Sequence, residues 1–436
     1  MSSLNSNRKS STQEIWVPGD GAFGKGENPL ANRLHKIHAL QDELTSSPSS
    51  HDVMELILAT ATSLDICLAD DTPLVWFIVS GNPGSDKTQT VFSLKGALNA
   101  YFLDTLTAQS FISGYINEQT GKPADDLLPK LDGKCLVIKD LTSLFSEREE
   151  KVKAVLGALQ SIYDGAYARA IGTRGTVEYD SHFSIIGCIT PLALRKHHRY
   201  MSLIGSRFLI NRVLPLSAEE IEEGFAIVWD TPNRKALIQR LQALVVEHVE
   251  DIFTSSHQIS PETPEQQESI NRLAQLLAKG RSVIYSGRTP SEDGSQGGYE
   301  IGNIQTEEPW RGVYQLRNLG RALTRVHGRS RITSHELELL RRVVLSSISV
   351  DWGEVLGQFR QHPDGFTVQL CAQGIGKSEP WVRHLLKELE ATKIIHADRE
   401  KASAIYYLPG PEFKEFLVQP IDPLDHSLDL SGISGN

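Results

Sequence analysis

The stretch Leu74-Val-Trp-Phe-Ile-Val-Ser-Gly-Asn-Pro-Gly-Ser-Asp-Lys-Thr88 joins a run of apolar residues to a loop that ends in a lysine and a threonine. Its loop matches the phosphate-loop pattern GxxxxGK[ST] at Gly81, Lys87 and Thr88. A phosphate chain needs backbone N–H groups that point into a concave loop, with the amino end of a helix behind it. Lys87 would neutralise the outer phosphates, and the Thr88 hydroxyl would bind magnesium. The alternative is a plain glycine-bearing turn between a strand and a helix.

Asp86 occupies the place of the last glycine in this pattern. A side chain there crowds the loop, and a carboxylate beside phosphates adds unfavourable charge. The segment therefore predicts an atypical phosphate loop with ATP and Mg²⁺ as its ligands. The predicted nucleotide-binding residues are Gly81, Asn82, Pro83, Gly84, Ser85, Asp86, Lys87 and Thr88.

Strands and helices alternate around this loop. Apolar runs predict strands at Leu74–Ser80, Tyr101–Leu103, Cys135–Lys139 and Phe183–Ile189. Helical spacing of apolar residues predicts helices at Asp52–Leu68, Lys87–Asn99 and Arg148–Tyr163. Because apolar strands that alternate with helices usually pair in parallel and are covered on both faces, residues 51–216 are predicted to form an α/β nucleotide-binding core.

The regions outside this core have other patterns. Residues 1–50 are rich in Ser, Asn, Gly and Pro, which indicates a flexible N-terminal arm, interrupted by a short helix near Pro29–Leu44. Residues 217–350 have mainly helical periodicity, with an exposed Gly/Ser-rich loop at Ser286–Gly298. Residues 351–416 form a compact segment, and 417–436 are predicted to be a flexible tail. The helices expected in 217–350 are Ala236–Ile252, Gln267–Lys279, Gly312–Val326 and Ser334–Ser347.

A second motif follows the predicted strand at Cys135–Lys139 and ends on Asp140. An aspartate at the end of such a strand supports magnesium in P-loop proteins, so Thr88 and Asp140 are the predicted metal ligands. An ordinary strand followed by a helix-capping aspartate is the alternative. Leu141 stands where many such ATPases have a catalytic glutamate, so the motif supplies no obvious base for hydrolysis. The nearby Glu147, Glu149 and Glu150 are typical of a solvated helix start.

Composition limits the classes of protein that fit. The chain has 436 residues and a formal net charge of −10 at pH 7, which argues against a protein that coats nucleic acid with its whole surface. Four widely separated cysteines form no CxxC pair and indicate neither a zinc site nor a disulfide framework. The polar N-terminus lacks the apolar run of a signal peptide, and Leu74–Val79 is too short to span a membrane. A cytoplasmic protein without membrane contact is therefore expected.

The residues from Asp52 to Ile348 resemble the AAA+ ATPases, because weaker motifs follow the phosphate loop in the order found in that family. Thr190 ends the run Phe183-Ser-Ile-Ile-Gly-Cys-Ile-Thr and is similar to the sensor-1 residue, which contacts the terminal phosphate or its attacking water. Arg207, within Gly-Ser-Arg-Phe208, is similar to an arginine finger that reaches the nucleotide of a neighbouring subunit. A surface arginine at a helix end is the alternative for Arg207.

Arg311 completes the set of residues that this resemblance implies. Glu308-Pro-Trp-Arg311, the helix after it and the segment Gly328–Leu337 resemble the helical lid of the chelatase and minichromosome-maintenance branch, in which this arginine is sensor 2. Capping by Thr333 or Ser334 is the local account of part of this lid motif. The catalytic residues implied by the resemblance are Lys87, Asp140, Thr190, Arg207 and Arg311.

Two further segments are similar to uncharacterised ATPases of phages and mobile elements. These are Leu128–Thr142 and Ile171–Tyr179, together with Tyr163-Asp-Gly165 between them. The paired glycines and two arginines of Arg169–Tyr179 predict a hairpin. It would either face a central pore that holds nucleic acid or lie at a plain sheet edge.

Phe366–Leu408 has the proportions of a winged helix. Short helices at Val368–Gln373 and Glu379–Glu390 precede two strands that flank a charged wing, Asp398-Arg-Glu-Lys401. A recognition helix needs polar or positive groups on its exposed face, and the acidic residues of the second helix dilute that charge. Binding of a protein partner is the alternative use of such a module. The predicted DNA contacts are Lys377, Arg383, His384, Lys387, Arg399 and Lys401.

These motifs together predict an ATPase that self-associates into a ring or filament, binds ATP and Mg²⁺ between subunits and acts on DNA. Replication, recombination and mobile-element biology are the expected settings. An alternative is a nucleotide-gated or catalytically degenerate DNA-binding regulator, in which Asp86 and Leu141 mark lost turnover. A third is a protein-remodelling scaffold ATPase whose C-terminal module binds a partner protein.

Overall fold

The computed structural model describes residues 28–116, 125–195, 207–255, 258–288, 299–399 and 404–420. Within these residues the chain is an α/β protein with one five-stranded parallel sheet and helices around it. The α/β class expected from the alternation of apolar runs is confirmed.

Seven strands lie in the predicted nucleotide-binding core: β1 (Trp76–Ser80), β2 (Ala100–Leu103), β3 (Cys135–Ile138), β4 (Ala166–Ile171), β5 (Gly175–Asp180), β6 (Ser184–Ile189) and β7 (Phe208–Arg212). Five of them form the parallel sheet in the order β2-β3-β6-β1-β7. Trp76 of β1 pairs with Ile185 on one side and Phe208 on the other. Every residue of β1, β3 and β6 is buried, as expected for strands covered on both faces. The carboxyl ends of all five strands therefore lie along one edge of the sheet.

The helices of the core precede or connect these strands: α1 (Pro29–Asp42), α2 (Ser50–Ala61), α3 (Leu64–Ala69), α4 (Lys87–Phe92), α5 (Ala108–Phe111), α6 (Leu128–Leu131), α7 (Thr142–Ser146), α8 (Glu149–Tyr163) and α9, whose described part is residues 191–195. All residues of α2 except His51 are buried. A helix that is buried on nearly every side lies in the interior, and α2 packs on β1 and β6.

The helix after the phosphate-loop pattern, α4, is shorter than the predicted Lys87–Asn99. Beyond Phe92 the backbone continues in turns with i→i+3 hydrogen bonds. The Ser93 hydroxyl donates to the Thr90 carbonyl at 2.6 Å, a local bond that competes with regular helix. Gly96 then takes φ +109°, which ends helical backbone altogether.

The described residues between 217 and 350 form five helices and a hairpin: α10 (Ala218–Asp230), α11 (Arg234–Thr254), α12 (Pro264–Gly280), β8 (Val283–Arg288), β9 (Tyr299–Gln305), α13 (Trp310–Val326) and α14 (Ser334–Ser347). The four predicted helices correspond to α11, α12, α13 and α14. α12, α13 and α14 pack on one another through buried leucines such as Leu273, Leu319 and Leu340. Two elements were not predicted. The first is α10, and the second is the β8–β9 hairpin, in which β8 includes the first residues, Ser286–Arg288, of the segment expected to be an exposed loop.

The segment assigned to a flexible arm, residues 1–50, contains a packed helix in its described part. Leu30, Leu34 and Ile37 of α1 are buried, and α1 packs against α11. The Asn28 side chain caps α1 and also donates to the Gly328 carbonyl at 2.9 Å, which fixes the start of the helix to the region after α13. Residues 28–50 are therefore part of the folded body, and residues 1–27 lie outside the described residues.

The predicted hairpin at Arg169–Tyr179 is present as β4–β5, but its arginines are held within the chain. Arg169 donates to the Ile112 carbonyl at 2.9 Å. Arg174 makes a bidentate ion pair with the buried Asp126, at 3.0 and 2.8 Å. Neither guanidinium therefore extends from the hairpin in the way that a nucleic-acid contact requires.

The C-terminal segment comprises α15 (Val350–Leu356), a 3₁₀ turn (Gly357–Arg360), α16 (Val368–Ile375), α17 (Glu379–Ala391), β10 (Ile395–Asp398), β11 (Tyr406–Pro409) and α18 (Lys414–Val418). β10 and β11 are antiparallel, and Phe366 forms a bridge with Tyr407. The segment packs back on the helices before it, because Arg341 of α14 donates to the Phe416 carbonyl at 2.9 Å. The predicted tail thus begins with helix and packed chain as far as residue 420, and residues 421–436 lie outside the description.

All four cysteines, Cys67, Cys135, Cys188 and Cys371, are buried and free, so none takes part in a disulfide. Among the described residues, no helix combines the length and the apolar character that crossing a membrane requires.

Candidate functional site

The candidate site lies along the edge of the sheet where the parallel strands end. Gly81 follows β1, Asp140 follows β3 after one residue, and Thr190 follows β6. The strand pairing continues past β1, because the Gly81 amide donates to the Ile189 carbonyl at 3.2 Å. In open parallel sheets ligands bind outside the carboxyl ends of the strands. The structure thus brings the residues predicted for phosphate and magnesium to the edge where such ligands bind.

The loop after β1 differs at its two glycine positions. A side chain at Gly81 would meet the Ser85 Oγ at 2.5 Å and the Val213 Cβ at 3.2 Å, so both neighbours would have to shift, whereas the space beside Gly84 is open. Gly84 has φ +83° and Asp86 has φ +53°, both in the left-handed region. Asp86 therefore takes the backbone conformation for which the pattern has a glycine, and its side chain makes no capping bond to α4.

Lys87 reaches back across this loop. Its side chain is buried, and Nζ donates to the Asn82 carbonyl at 3.0 Å. Thr88, in the first turn of α4, is exposed, as are Asn82, Pro83 and Gly84. The loop thus combines an exposed outer rim with an ammonium group held on its inner side by a single carbonyl oxygen.

Cys188 of β6 connects the phosphate loop with the second motif. Its Sγ lies 3.7 Å from the carbonyl oxygen of Lys87, and its own carbonyl accepts a 2.7 Å hydrogen bond from the Leu141 amide. Burial raises the pKa of this thiol to about 12, while Lys87 lowers it and Asp140 raises it. The charges of Lys87 and Asp140 therefore both act on this one sulfur. From the sequence, Cys188 was considered only as a disulfide or zinc-ligand candidate, and its position between the two motifs was not predicted.

Asp140 is exposed and caps α7. Its Oδ1 accepts a 2.8 Å hydrogen bond from the Thr142 amide, so the helix-capping role that the sequence left open is observed. The Thr142 hydroxyl in turn accepts from the Thr190 amide at 3.3 Å. Thr142 is therefore hydrogen-bonded both to Asp140, the predicted magnesium ligand, and to Thr190, the predicted sensor-1 residue.

Leu141 faces the interior. A side chain on Gly187 would meet its Cδ1 at 2.3 Å, so Leu141 fills the space above this glycine. A carboxylate at position 141 would be buried there against β6. The nearby Glu147 and Glu149 are exposed and pair with Lys151 and Lys153 at 3.0 and 2.8 Å, which agrees with a solvated helix start.

A cavity of about 410 Å³ opens beside Gly81 and Asn82. This volume lies in the range of small-molecule sites, about 300–1,000 Å³. Its wall includes Arg212 at the end of β7, Arg342 of α14 and Glu354 of α15. Burial lowers the pKa of Arg212 to about 10, with Glu354 opposing that shift. The loop Gly81–Thr88 thus continues into a cavity lined by both apolar and charged groups.

Arg207 and Arg311 lie near each other, away from this edge. Arg207 precedes the five-residue β7, so it lies about 15 Å from the carboxyl end of the sheet at 3.3 Å per residue. Its guanidinium pairs with Asp164 at 3.0 Å and lies 5.6 Å from the centre of the Tyr163 ring. Arg311 pairs with Glu307 at 2.8 Å. Burial raises the pKa of Tyr163, and both arginines oppose that shift. Gln315, one turn after Arg311 on α13, donates to the Tyr163 hydroxyl at 2.9 Å and to the Arg207 carbonyl at 2.8 Å, so the two arginines lie around the same side chains.

The predicted DNA contacts of the C-terminal segment are mostly engaged by neighbouring side chains. Lys387 is exposed, and Lys401 lies outside the described residues. The other four have close partners: Arg383 with Glu379 at 3.7 Å, His384 with Glu388 at 3.2 Å, Arg399 with Glu390 at 2.8 Å, and Lys377 over the Trp381 ring at 5.6 Å. The acidic residues that dilute the charge of α17 therefore also pair with its cations.

Comparison with models of known protein families finds no match, and comparison with curated protein sequences finds none either.

Proposed function

We propose that this chain is a P-loop protein of the AAA+ type that binds ATP with Mg²⁺ at Gly81–Thr88. The observation that carries the proposal is the backbone of Asp86, a non-glycine residue in the left-handed conformation that the pattern reserves for glycine. In such a loop after a buried parallel strand, backbone N–H groups would face a phosphate chain, and the Ser85 amide would exchange its 3.2 Å bond to the Asn82 carbonyl for a phosphate oxygen. Lys87, buried on the inner side of the loop, supports the same proposal.

The proposed roles follow from the positions of the side chains. Lys87 would exchange the Asn82 carbonyl for the outer phosphate oxygens. Thr88 and Asp140 would hold magnesium, and Thr190 would contact the terminal phosphate. The base and sugar would enter the cavity beside Gly81, which is large enough for them.

The active unit is proposed to contain more than one copy of the chain. Arg207 and Arg311 are candidates for neutralising phosphate charge, yet they lie together about 15 Å or more from the phosphate loop. A guanidinium must touch the phosphoryl group to act on it. The two arginines would therefore serve the nucleotide of a neighbouring copy in a ring or filament, with Arg207 leaving Asp164 as it does so.

A second candidate function is a DNA-binding regulator that binds nucleotide without turning it over. The observation that favours it is the burial of Leu141 against Gly187, which leaves the usual position of the catalytic glutamate apolar and inside the core. In this function nucleotide occupancy would change the arrangement of the chain, and no water would be activated.

The C-terminal residues 351–420 are proposed to be a winged-helix module that contacts DNA. Support comes from the element order α16, α17, β10, β11 and from the exposed Lys387 on the face of α17 opposite its buried leucines. Because most neighbouring cations pair with glutamates, the contact would be weak and salt-sensitive. If the chain does not bind DNA, the alternative is a scaffold ATPase in which this module binds a partner protein.

The proposal is tested by titrating the full chain with ATP and Mg²⁺ in a calorimeter and measuring phosphate release with and without duplex DNA. We expect wild-type binding that Lys87→Ala weakens by about 10–100-fold, the range for losing a charge-assisted hydrogen bond. The matched control is Lys95→Ala, which removes an exposed lysine from the turns after α4. Turnover stimulated by DNA supports the motor, and binding without turnover supports the regulator. Absence of binding in both the wild type and Asp86→Gly contradicts the nucleotide site itself.

A further inference from the structure

A buried carboxylate and two histidines meet away from the phosphate loop, where α2 packs against the corner between α13 and α14. Glu55 of α2 is fully buried. His327 directly follows α13, and His335 lies in the first turn of α14. Both histidines approach the same carboxylate oxygen: their Nε2 atoms lie 3.0 and 2.7 Å from Oε2 of Glu55.

The arrangement of these three groups resembles a set of metal ligands. Their ligand atoms all lie within 4.8 Å of one another. The two imidazole rings are edge to face, with centroids 4.8 Å apart, so each presents a nitrogen to the carboxylate. Zinc binds histidine nitrogen and carboxylate oxygen at about 2.0–2.2 Å, which sets its ligand atoms about 3–4 Å apart. Small outward movements of the side chains would make room for an ion.

We propose that Glu55, His327 and His335 bind a divalent transition-metal ion, with zinc as the first candidate, in a site independent of the nucleotide. Nitrogen and carboxylate donors together suit zinc better than calcium or magnesium, which prefer oxygen ligands alone. His38 of α1 is the nearest candidate for a fourth ligand, because its Nε2 lies 3.5 Å from Oε1 of Glu55.

The site would act as a structural clamp. Its ligands are 272 and 280 residues apart along the chain from Glu55 to the two histidines. An ion held by them would fix α2, which covers β1 and β6, to the helices α13 and α14. Because the unfolded chain lacks a preformed site, metal binding would add directly to folding stability.

The test uses the full chain after exhaustive dialysis against a chelator, with Zn²⁺ alone as the probe and a fluorescent chelator as competitor. We expect one zinc ion per chain, a higher midpoint of thermal unfolding with zinc, and at least about tenfold weaker binding in Glu55→Gln and His335→Ala. His396→Ala is the matched control, because His396 is an exposed histidine of β10 outside this cluster.

Wild-type protein that binds no zinc, or variants at Glu55 and His335 that bind it as tightly as His396→Ala does, would overturn the proposal. The cluster would then be a hydrogen-bonded network only. If the variants fail to fold, the visible spectrum of the wild-type protein with added Co²⁺ decides between a metal site and a hydrogen-bonded network. The intense visible absorption of a four-coordinate cobalt site is the supporting result, and the weak spectrum of a six-coordinate ion contradicts it.

Discussion

Asp86 has φ +53°, a backbone conformation that costs an L-residue up to about 1–2 kcal/mol and glycine almost nothing. We therefore expect Asp86→Gly to raise the free energy of unfolding by a few tenths to about 1 kcal/mol, since the freer unfolded chain offsets part of the relief. The same change removes a carboxylate beside the proposed phosphates, so ATP affinity should rise. Urea unfolding and calorimetric titration measure the two effects.

Asp71→Gly is the matched control for this prediction. Asp71 also has a left-handed backbone, with φ +49°, but it is exposed and precedes β1 at the opposite end of that strand. It should therefore gain similar stability with no change in ATP affinity. Equal affinity gains in both variants would mean that the effect at Asp86 is not electrostatic. The glycine pattern identified position 86 from the sequence, but the left-handed backbone that explains its importance is visible only in the structure.

The β4–β5 hairpin is anchored through one buried carboxylate. Asp126 accepts hydrogen bonds from the Ser113 amide at 2.7 Å, from Tyr179 at 2.8 Å and from the Arg174 fork. We expect Asp126→Ala to destabilise the chain by about 1–3 kcal/mol, the cost of buried donors left without an acceptor. Asp125→Ala, which removes an exposed carboxylate paired with Lys130, should change stability little. Urea unfolding of both variants checks the prediction, and equal effects would contradict it.

The same carboxylate gives a pH dependence with a defined sign. Burial raises the pKa of Asp126, but hydrogen bonds from Arg174, the Ser113 amide and Tyr179 outweigh it and hold the pKa below its ordinary value. The stabilising contribution is therefore complete above the ordinary aspartate pKa of about 3.9 and is lost as pH falls through the lowered value. Between about pH 5 and pH 3, the free energy of unfolding should fall less steeply with decreasing pH in Asp126→Ala than in Asp125→Ala. If the free energy of unfolding has the same pH dependence in both variants, Asp126 contributes nothing to the loss of stability in acid.

The apolar stripes of α11, α12, α13 and α14 predicted those helices. α10 was not predicted, although Ser217 and Glu220 form a capping box at its start and Ile221, Phe225 and Val228 recur at helical spacing. β7 was missed because its five residues become a strand only by pairing with β1. β8 and β9 were missed because the Gly/Ser-rich residues beside them indicated a loop.

At the scale of the whole molecule, the separation of the arginines from the phosphate loop predicts complementation between copies. Lys87→Ala and Arg311→Ala should each abolish nucleotide-dependent activity alone. When they are mixed in equal amounts, about one interface in four combines an intact loop with an intact arginine, so about a quarter of wild-type turnover should return. Phosphate release across mixing ratios measures this, and ATP affinity is the readout if the wild type shows no turnover.

Arg317→Ala is the control for this experiment. Arg317 is on α13 with Arg311, but it pairs with Asp70 and Glu262 at 3.2 and 3.5 Å. Its loss should leave activity near the wild-type level. If the mixtures remain as inactive as the single variants, Arg311 acts on the nucleotide of its own chain. That result would contradict the proposed arrangement between copies.

The sequence by itself determined the α/β class, the phosphate-loop pattern and most helices, because each depends on residues close together in the chain. Only the tertiary structure decided which distant residues meet. It put Cys188 between the two motifs, Leu141 inside the core, Arg207 and Arg311 near one another, and Glu55 between two histidines far along the chain. The physical reason is that periodicity reports which face of an element is buried, whereas the partner buried against that face depends on strand order and helix packing.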